Sequence, residues 1–248
     1  MLDVAIRKAD GSRVVDWQHV GARTAPPLPV TAALRALLPD GLRRGSTVSV
    51  SGSVSLLLTL LGTASAEGAW CALVGFPRIS AEAAREYGID LTRLAIVPVP
   101  DRAPSSWTTA VGALLDAVDI VAARPPTALT ARCGLAPADI RRLAARARSK
   151  DAVLMPFVPD EPAAARATWP GADVRLHASG GAWMGIGHGT GRLRARRIEV
   201  SAGGKGPSAR PRHTTLCLPA DGGGCTPVAP VVVPSAAPDW TAHLATAG

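Results

Sequence analysis

The sequence predicts an α/β fold, with a mainly parallel central sheet, helices on both faces and an antiparallel strand extension towards the C-terminal side. Three observations carry this. Between residues 48 and 158, short apolar runs of strand length alternate with helical segments of ten or so residues, the pattern of right-handed βαβ crossovers. One run, Trp70 to Val74, is apolar without a break, as expected of a strand covered on both faces. After residue 172 the helical segments stop, and three β-like stretches follow across Gly-rich turns.

Taken in order, residues 2–17 carry Asp10-Gly11 between Val4-Ala5-Ile6 and Val14-Val15, which reads as a β-hairpin. A Pro-rich linker over 24–29 closes this N-terminal part, 1–27, and the main domain spans 28–221. Thr31 is placed to cap a short helix through Leu38, with Leu34, Leu37 and Leu38 on one face and Pro39-Asp40-Gly41 as its stop. Residues 48–51 form the first strand. Ser53 or Ser55 then caps a helix in which Leu57, Leu60, Leu61 and Ala64 recur at i, i+3, i+4 and i+7. Leu56 and Leu58 lie off that stripe, so this helix is expected to be buried on most sides. Ser80 caps a helix through Tyr87, and residues 94–99 are the next strand. Ser105 or Ser106 opens a helix to Ala117, followed by a strand over 118–123. The segment 139–149 sets Arg141, Arg142, Arg146 and Arg148 around Ile140, Leu143, Ala144 and Ala147, an amphipathic helix whose arginines form a solvated face or a docking surface. Residues 152–158 are a strand, and 172–177, 192–200 and 213–218 are the antiparallel extension. From 222 to 248 the chain is rich in Pro, Ala and Gly, the composition of a mobile tail.

Composition narrows the function classes. The 248 residues carry a formal net charge of +8, and of 27 basic residues only Lys8, Lys150 and Lys205 are lysine. With the abundance of Ala, Gly and Pro, that bias looks partly like the product of a GC-rich genome, which weakens the high pI as a sign of nucleic-acid binding. The cysteines, Cys71, Cys133, Cys217 and Cys225, form no C-x-x-C pair and no zinc-finger spacing with His, so reduced thiols are expected. The first ten residues have no apolar core of a signal peptide, and the apolar run at 54–61 is far short of the ~20 residues of a membrane span. A cytoplasmic location without a membrane partner is the expectation. No G-x-S-x-G, H-E-x-x-H or paired-carboxylate pattern is present.

The stretch 47–68, TVSVSGSVSLLLTLLGTASAEG, has the layout of a phosphate-binding strand-loop-helix. A P-loop needs G-x-x-x-x-G-K-[ST], because backbone amides cradle the phosphates, Lys reaches the β/γ oxygens and the hydroxyl holds Mg²⁺. Here Gly52, Ser53, Val54 and Ser55 lead straight into Leu56, with no second Gly and no Lys. A second candidate is the basic stretch 192–213, with Arg192, Arg194, Arg196, Arg197, Lys205, Arg210 and Arg212 against the single acid Glu199. As a strand it projects Arg192, Arg194 and Arg196 from one face, where they would contact nucleic-acid phosphates or an acidic protein, or would simply guard a solvated sheet edge. Charge reversal at Arg194 and Arg196 is expected to weaken such binding and leave stability unchanged. Before it, GGAWMGIGHGTG at 180–191 reads as a flexible hairpin loop rather than a nucleotide loop, because it opens no helix, and His188 within it as exposed and inert. In the tail, Trp240 and Leu244 are four apart and would share one side of a short helix on a partner, or tuck back onto the domain.

Several stretches together resemble the core of the RecA recombinase family: PDGLRRGSTVSVSG before the loop, AAREYGIDLTRLAIVPVPD after the second strand, DAVDIVAARP at the Walker B strand, and RLRARRIEVSAGGKGPSARPRHTTLCL at the end of the core. The resemblance implies a RecA-like core in which Gly52, Ser53 and Ser55 are a vestigial P-loop. It also implies losses. Arg124 stands where the Walker B strand ends on Asp, and a cation there repels Mg²⁺. Gly75-Phe76-Pro77 replaces the acid that activates water, and Met155-Pro156-Phe157 replaces the pair that senses the γ-phosphate. Phosphoryl transfer rests on positioning and charge neutralisation, so these losses together imply no ATPase activity and no nucleotide cofactor. The DNA-contacting loops would fall near 125–137 and 158–171, which are short and Pro-rich, so filament formation on DNA is not expected.

A RecA-like protein without ATPase and with a basic C-terminal part is similar to the ImuA-type accessory proteins of actinobacteria. That resemblance implies a non-catalytic adaptor in DNA-damage-induced (SOS) translesion synthesis and mutagenesis, recruited to the nucleoid on damage. Its partners would be an ImuB-type, Y-family-polymerase-like protein, with a RecA-like recombinase or DNA as further partners. The competing readings are an ATPase of the RecA/KaiC kind with an unconventional site and a SulA-like regulator of cell division.

Overall fold

The computed structural model describes residues 25–76, 78–99, 103–126, 135–158, 169–187, 190–220 and 224–228. The hairpin expected over 2–17, His188, Trp240 and Leu244 lie outside the described residues, as does most of 125–137, 158–171 and the tail. The elements run β1 (Val48–Ser51), α1 (Val54–Ala66), β2 (Cys71–Val74), α2 (Ala81–Glu86), β3 (Leu94–Val97), α3 (Pro104–Leu115), β4 (Ile120–Ala123), α4 (Pro137–Ser149), β5 (Val153–Val158), β6 (Val174–Gly187), β7 (Thr190–Gly204), β8 (Arg212–Cys217) and β9 (Thr226–Pro227). They build one sheet of order β3-β2-β4-β5-β1-β6-β7-β8-β9. Strands β1 to β6 pair in parallel, and β6 to β9 pair antiparallel, so the α/β class and the C-terminal extension are both present.

The strand order dictates the layers. From β1 the chain crosses to β2 and on to β3 in one direction, then returns through β4 and β5 in the other. Crossovers of constant hand therefore put α1 and α2 on one face and α3 and α4 on the other. The core divides accordingly. Leu56, Leu57, Leu60 and Leu61 of α1 and Ala84 of α2 meet Val48, Val50, Cys71, Leu73, Val153 and Met155. Trp107, Val111 and Leu115 of α3 and Ile140, Leu143 and Ala147 of α4 meet Val74, Val121, Ala123 and Leu154 across the sheet. All four residues of β2 and of β4 are buried, as the unbroken apolar runs require.

Local chemistry explains the starts and corrects several boundaries. Ser53 and Ser80 accept hydrogen bonds from Leu56 N (3.3 Å) and Ala83 N (3.0 Å), so both cap helices as expected. Helix α3 opens at Pro104 rather than at Ser105 or Ser106, because proline costs nothing at a first helical position whose amide has no partner. Residues 31–38 do not form the expected capped helix. Thr31 makes no cap bond, Ala32–Leu34 is a single 3₁₀ turn, and a segment this short cannot repay α-helix nucleation. Leu34, Leu37 and Leu38 are nevertheless buried, and a β-bridge between Leu28 and Leu42 ties the segment's ends.

The largest difference lies in the last third. Two of the three expected short strands are in fact long, and 180–187 and 190–191 are strand rather than loop: β6 and β7 run 14 and 15 residues and pair with each other there, while the third, β8, keeps its expected length of six residues. Glycine has low strand propensity, which hid this. Two register shifts, between Ser179 and Ala182 and between Met184 and Ile186, absorb the irregularity as β-bulges. Among the described residues, no helix is long and apolar enough to cross a membrane.

Candidate functional site

Both β5 and β6 flank β1, and the chain runs from β1 to β2 and from β5 to β6 in opposite directions across the sheet, so the C-terminal ends of β1 and β5 form the crevice where an open α/β sheet binds ligands. Here the crevice is filled. Gly52 turns with φ +82°, and a Cβ on it would overlap the Ala178 carbonyl oxygen and lie 3.0 Å from its carbon. β6 thus covers the turn where a phosphate would enter. The Ser53 hydroxyl is spent on the amide of Leu56, one of the donors a bound phosphate would use. Ser55 lies beside the Tyr87 phenol, whose pKa burial raises above its ordinary range while the Ser55 hydroxyl pulls it back. Ser51 Oγ lies 3.0 Å from His177 Nδ1 and 3.3 Å from the Leu176 carbonyl.

The neighbouring positions are filled as well. Phe76 and Phe157, from the Gly75-Phe76-Pro77 and Met155-Pro156-Phe157 stretches, contact each other with ring centroids 5.7 Å apart, both buried against the α1 leucines. Arg124 ends β4. Its amide donates to Val74 O (2.9 Å) and its carbonyl accepts from Trp107 Nε1 (2.7 Å), which fixes the backbone at that strand end. Two aromatic rings, a ladder carbonyl and a helix-capping serine are poor material for a triphosphate.

The basic residues of the extension do not form one patch. Arg194 and Arg196 alternate onto one face of β7, where Arg196 stands directly opposite Trp183 with its guanidinium 5.8 Å from the indole centroid. Arg194 is exposed, and Trp183 is 49% exposed. Arg192 lies on the same strand, its side chain outside the described residues. Arg196 is committed locally: Nη2 donates to Gly180 O (3.1 Å), and Nε is buried without a partner among the described residues. Its guanidinium lies where a Cβ on Gly181 would come within 2.5 Å of Nε, so glycine at this bulge makes room for it. Of the two, Arg196 is engaged on the domain itself, whereas Arg194 is exposed. Arg197 alternates to the other face, opposite Ala182 and Cys217. Arg212 pairs with Ala202, about 20 Å along β7 from Arg196 at the rise of a strand, and Arg210 lies beyond it. Lys205 bonds the Gly171 carbonyl (3.2 Å). On α4, Arg142 pairs with Asp139 and Arg146 with Asp116, so two of its four arginines are engaged on the domain's own surface.

Sequence reading missed one arrangement. Ser51, His177, Ser201 and His213 stand directly opposite one another across four adjacent strands, and Ser179, Glu199 and Thr215 form the next row. The opposite side chains of these strands, Leu176, Ala178, Ile198, Val200 and Leu216, enter the core. Period-two alternation over 174–179, 198–202 and 213–217 was the available signal. The Ser51–His177 pair has no carboxylate in its row, and among the described residues no cluster of three His, Cys, Asp or Glu side chains could hold a metal.

Residues 36–165, which carry β1 through β5 but not the β6 residues that close the turn at Gly52, match the family model of the MT3502 N-terminal domain. This chain belongs to that family. It is also 34% identical over 140 residues to the uncharacterized protein Rv3395c of Mycobacterium tuberculosis (strain ATCC 25618 / H37Rv), an alignment covering 56% of this chain and 61% of that relative's length. The family match ends before β6, so the long β6–β7 ribbon lies outside the residues that define membership.

Proposed function

We propose that the chain is a non-catalytic adaptor on a degenerate RecA-like core, of the ImuA type, which docks a Y-family-polymerase-like partner during DNA-damage-induced translesion synthesis. The observation that carries the non-catalytic part is the closed turn at Gly52, with the Ala178 carbonyl against it and the Phe76–Phe157 contact beside it. Catalysis of phosphoryl transfer needs donors, a metal and a positioned nucleophile around an open phosphate site. Here the core of the old site has become packing, which leaves surface recognition as the means of action. The mechanism is positional: a rigid three-layer domain presents the β6–β7 ribbon and the α4 face, and no bond is made or broken.

Isothermal titration with Mg-ATP is the first test. No heat of binding at micromolar protein is the expected result, and micromolar binding with turnover overturns the adaptor reading in favour of an ATPase. Affinity recovery from DNA-damaged cells is the second. A polymerase-like protein should be recovered, while division proteins without any polymerase would favour the SulA-like reading instead.

A further inference from the structure

Past the strands that flank it, the β6–β7 pair continues alone. β1 reaches β6 only as far as His177, and β8 reaches β7 only as far as Arg197, extended by the exchange of backbone bonds between Arg196, Leu218 and Pro219. Residues 184–187 and 190–195 are therefore paired with each other alone among the described strands, a two-stranded arm with the Trp183–Arg196 pair at its base. An isolated hairpin of this kind is marginal in water, so its retention asks for a contact.

The arm's two faces differ. One carries Trp183, Arg196 and Arg194, and the other carries Met184 and Leu193, which are 43% and 45% exposed. From 180 to 196 the sequence contains three arginines and a histidine and no acidic residue. The first face is a half-exposed indole packed against the Arg196 guanidinium, with the exposed Arg194 two residues along. Because Arg196 is held by the Gly180 carbonyl and the bulge, the indole–guanidinium stack exists before any ligand arrives.

We infer that this face binds single-stranded DNA, Trp183 stacking on a base and Arg194 meeting the adjacent phosphates. An exposed aromatic beside cations is what unpaired bases on a polyanion require. Duplex DNA is the poorer fit: its base faces are already stacked, which leaves the half-exposed Trp183 indole no base to stack on. No carboxylate within 180–196 opposes a phosphate there. The inference deepens the adaptor reading and rests on it for the choice of DNA over RNA.

The test uses the full chain and fluorescence anisotropy with a labelled ~20-nucleotide oligo(dT) and a duplex of equal length, at ~50 and ~200 mM salt. Oligo(dT) should bind more tightly than the duplex and weaken as salt rises. Trp183→Ala should weaken oligo(dT) binding about tenfold while Trp183→Phe keeps most of it. Arg194→Ala should lower the log–log salt slope by ~0.7. Met184→Ala, on the opposite face of the same arm, should leave affinity unchanged and serves as the folding control. Equal affinity for duplex, indifference to Trp183→Ala, or an equal loss in Met184→Ala overturns the proposal. If Trp183→Ala and Arg194→Ala leave oligo(dT) binding intact but abolish recovery of the polymerase-like protein, the arm is a protein-docking face: this proposal falls and the adaptor reading stands. Ribbon-dependent oligo(dT) binding without any polymerase recovered has the reverse meaning.

Discussion

Replacing Gly52 by alanine tests whether the turn after β1 is shut. Gly52 sits at φ +82°, where an L-residue costs roughly 1–2 kcal/mol. The added methyl would also run into the Ala178 carbonyl, with the carbonyl carbon 3.0 Å and the amide nitrogen 3.4 Å away. Ala178 is held in β6 between β1 and β7, so it gives way only by shifting the ladder, and overpacking of this kind costs about 1–3 kcal/mol. Together these give a loss of roughly 2–5 kcal/mol, or a fall in Tm of about 4–20 °C for a chain of this size. Gly88 supplies the matched control: its φ is also +82°, yet nothing lies within 4 Å of its Cβ position, so Gly88→Ala should cost the backbone strain alone. Urea unfolding of both variants, read as midpoint shifts at constant m-value, separates the two contributions. If Gly52→Ala costs no more than Gly88→Ala, the turn has room for a ligand and the argument for a closed site fails.

Other outcomes follow from contacts elsewhere. Asp119 bonds Arg44 Nη1 (2.6 Å) and the Trp70 amide (2.9 Å) with side chains 15–21% exposed in the ion pair, so Asp119→Ala should cost about 2–3 kcal/mol in urea unfolding, and Asp119→Asn less. Asp116 is held below the usual carboxylate range by its hydrogen bonds from Arg146, against partial burial and with Lys150 also nearby. A depressed folded-state pKa means that this contribution is present above ~pH 4 and lost as pH falls below it. For so exposed a pair it amounts to ~0.5–1 kcal/mol, so Asp116→Asn should flatten the acid limb of a stability–pH curve slightly. Arg196→Ala should destabilise by about 1 kcal/mol through lost packing on Trp183 and the Gly180 bond, whereas Arg194→Ala should stay within ~0.5 kcal/mol of the parent in the same assay. The Cys71 thiol, pushed up to about 12 by burial and by Asp119, and that of Cys225, pushed up to about 12 by burial and by Cys217, should stay unlabelled by a thiol reagent near neutral pH until the chain unfolds.

The parallel part of the fold was legible because each strand there is an apolar run and each helix has an apolar stripe or a capping serine, signals that are local. Ser53, Ser80 and the buried Leu34, Leu37 and Leu38 all behave as their neighbours in sequence require. The ribbon was not legible. The glycines of 180–191 look like a loop, and only pairing with β7 makes Gly180, Gly181, Gly185 and Gly187 part of a strand. The basic stretch was readable as a list of arginines but not as a surface. Alternation divides Arg196 from Arg197, and the length of β7 separates Arg212 from both.

Sequence alone thus determined the class of fold, the order of its elements and the missing P-loop residues, since each depends on residue type at short spacing. Tertiary structure decided what became of the empty position. The carbonyl that closes Gly52 comes from Ala178, and the ring that meets Phe76 comes from Phe157. Both partners are remote along the chain and are brought in by the strand order β2-β4-β5-β1-β6, which no local pattern encodes. The same long-range pairing put Trp183 across from Arg196 and turned a glycine-rich stretch into the protein's most exposed aromatic face among the described residues.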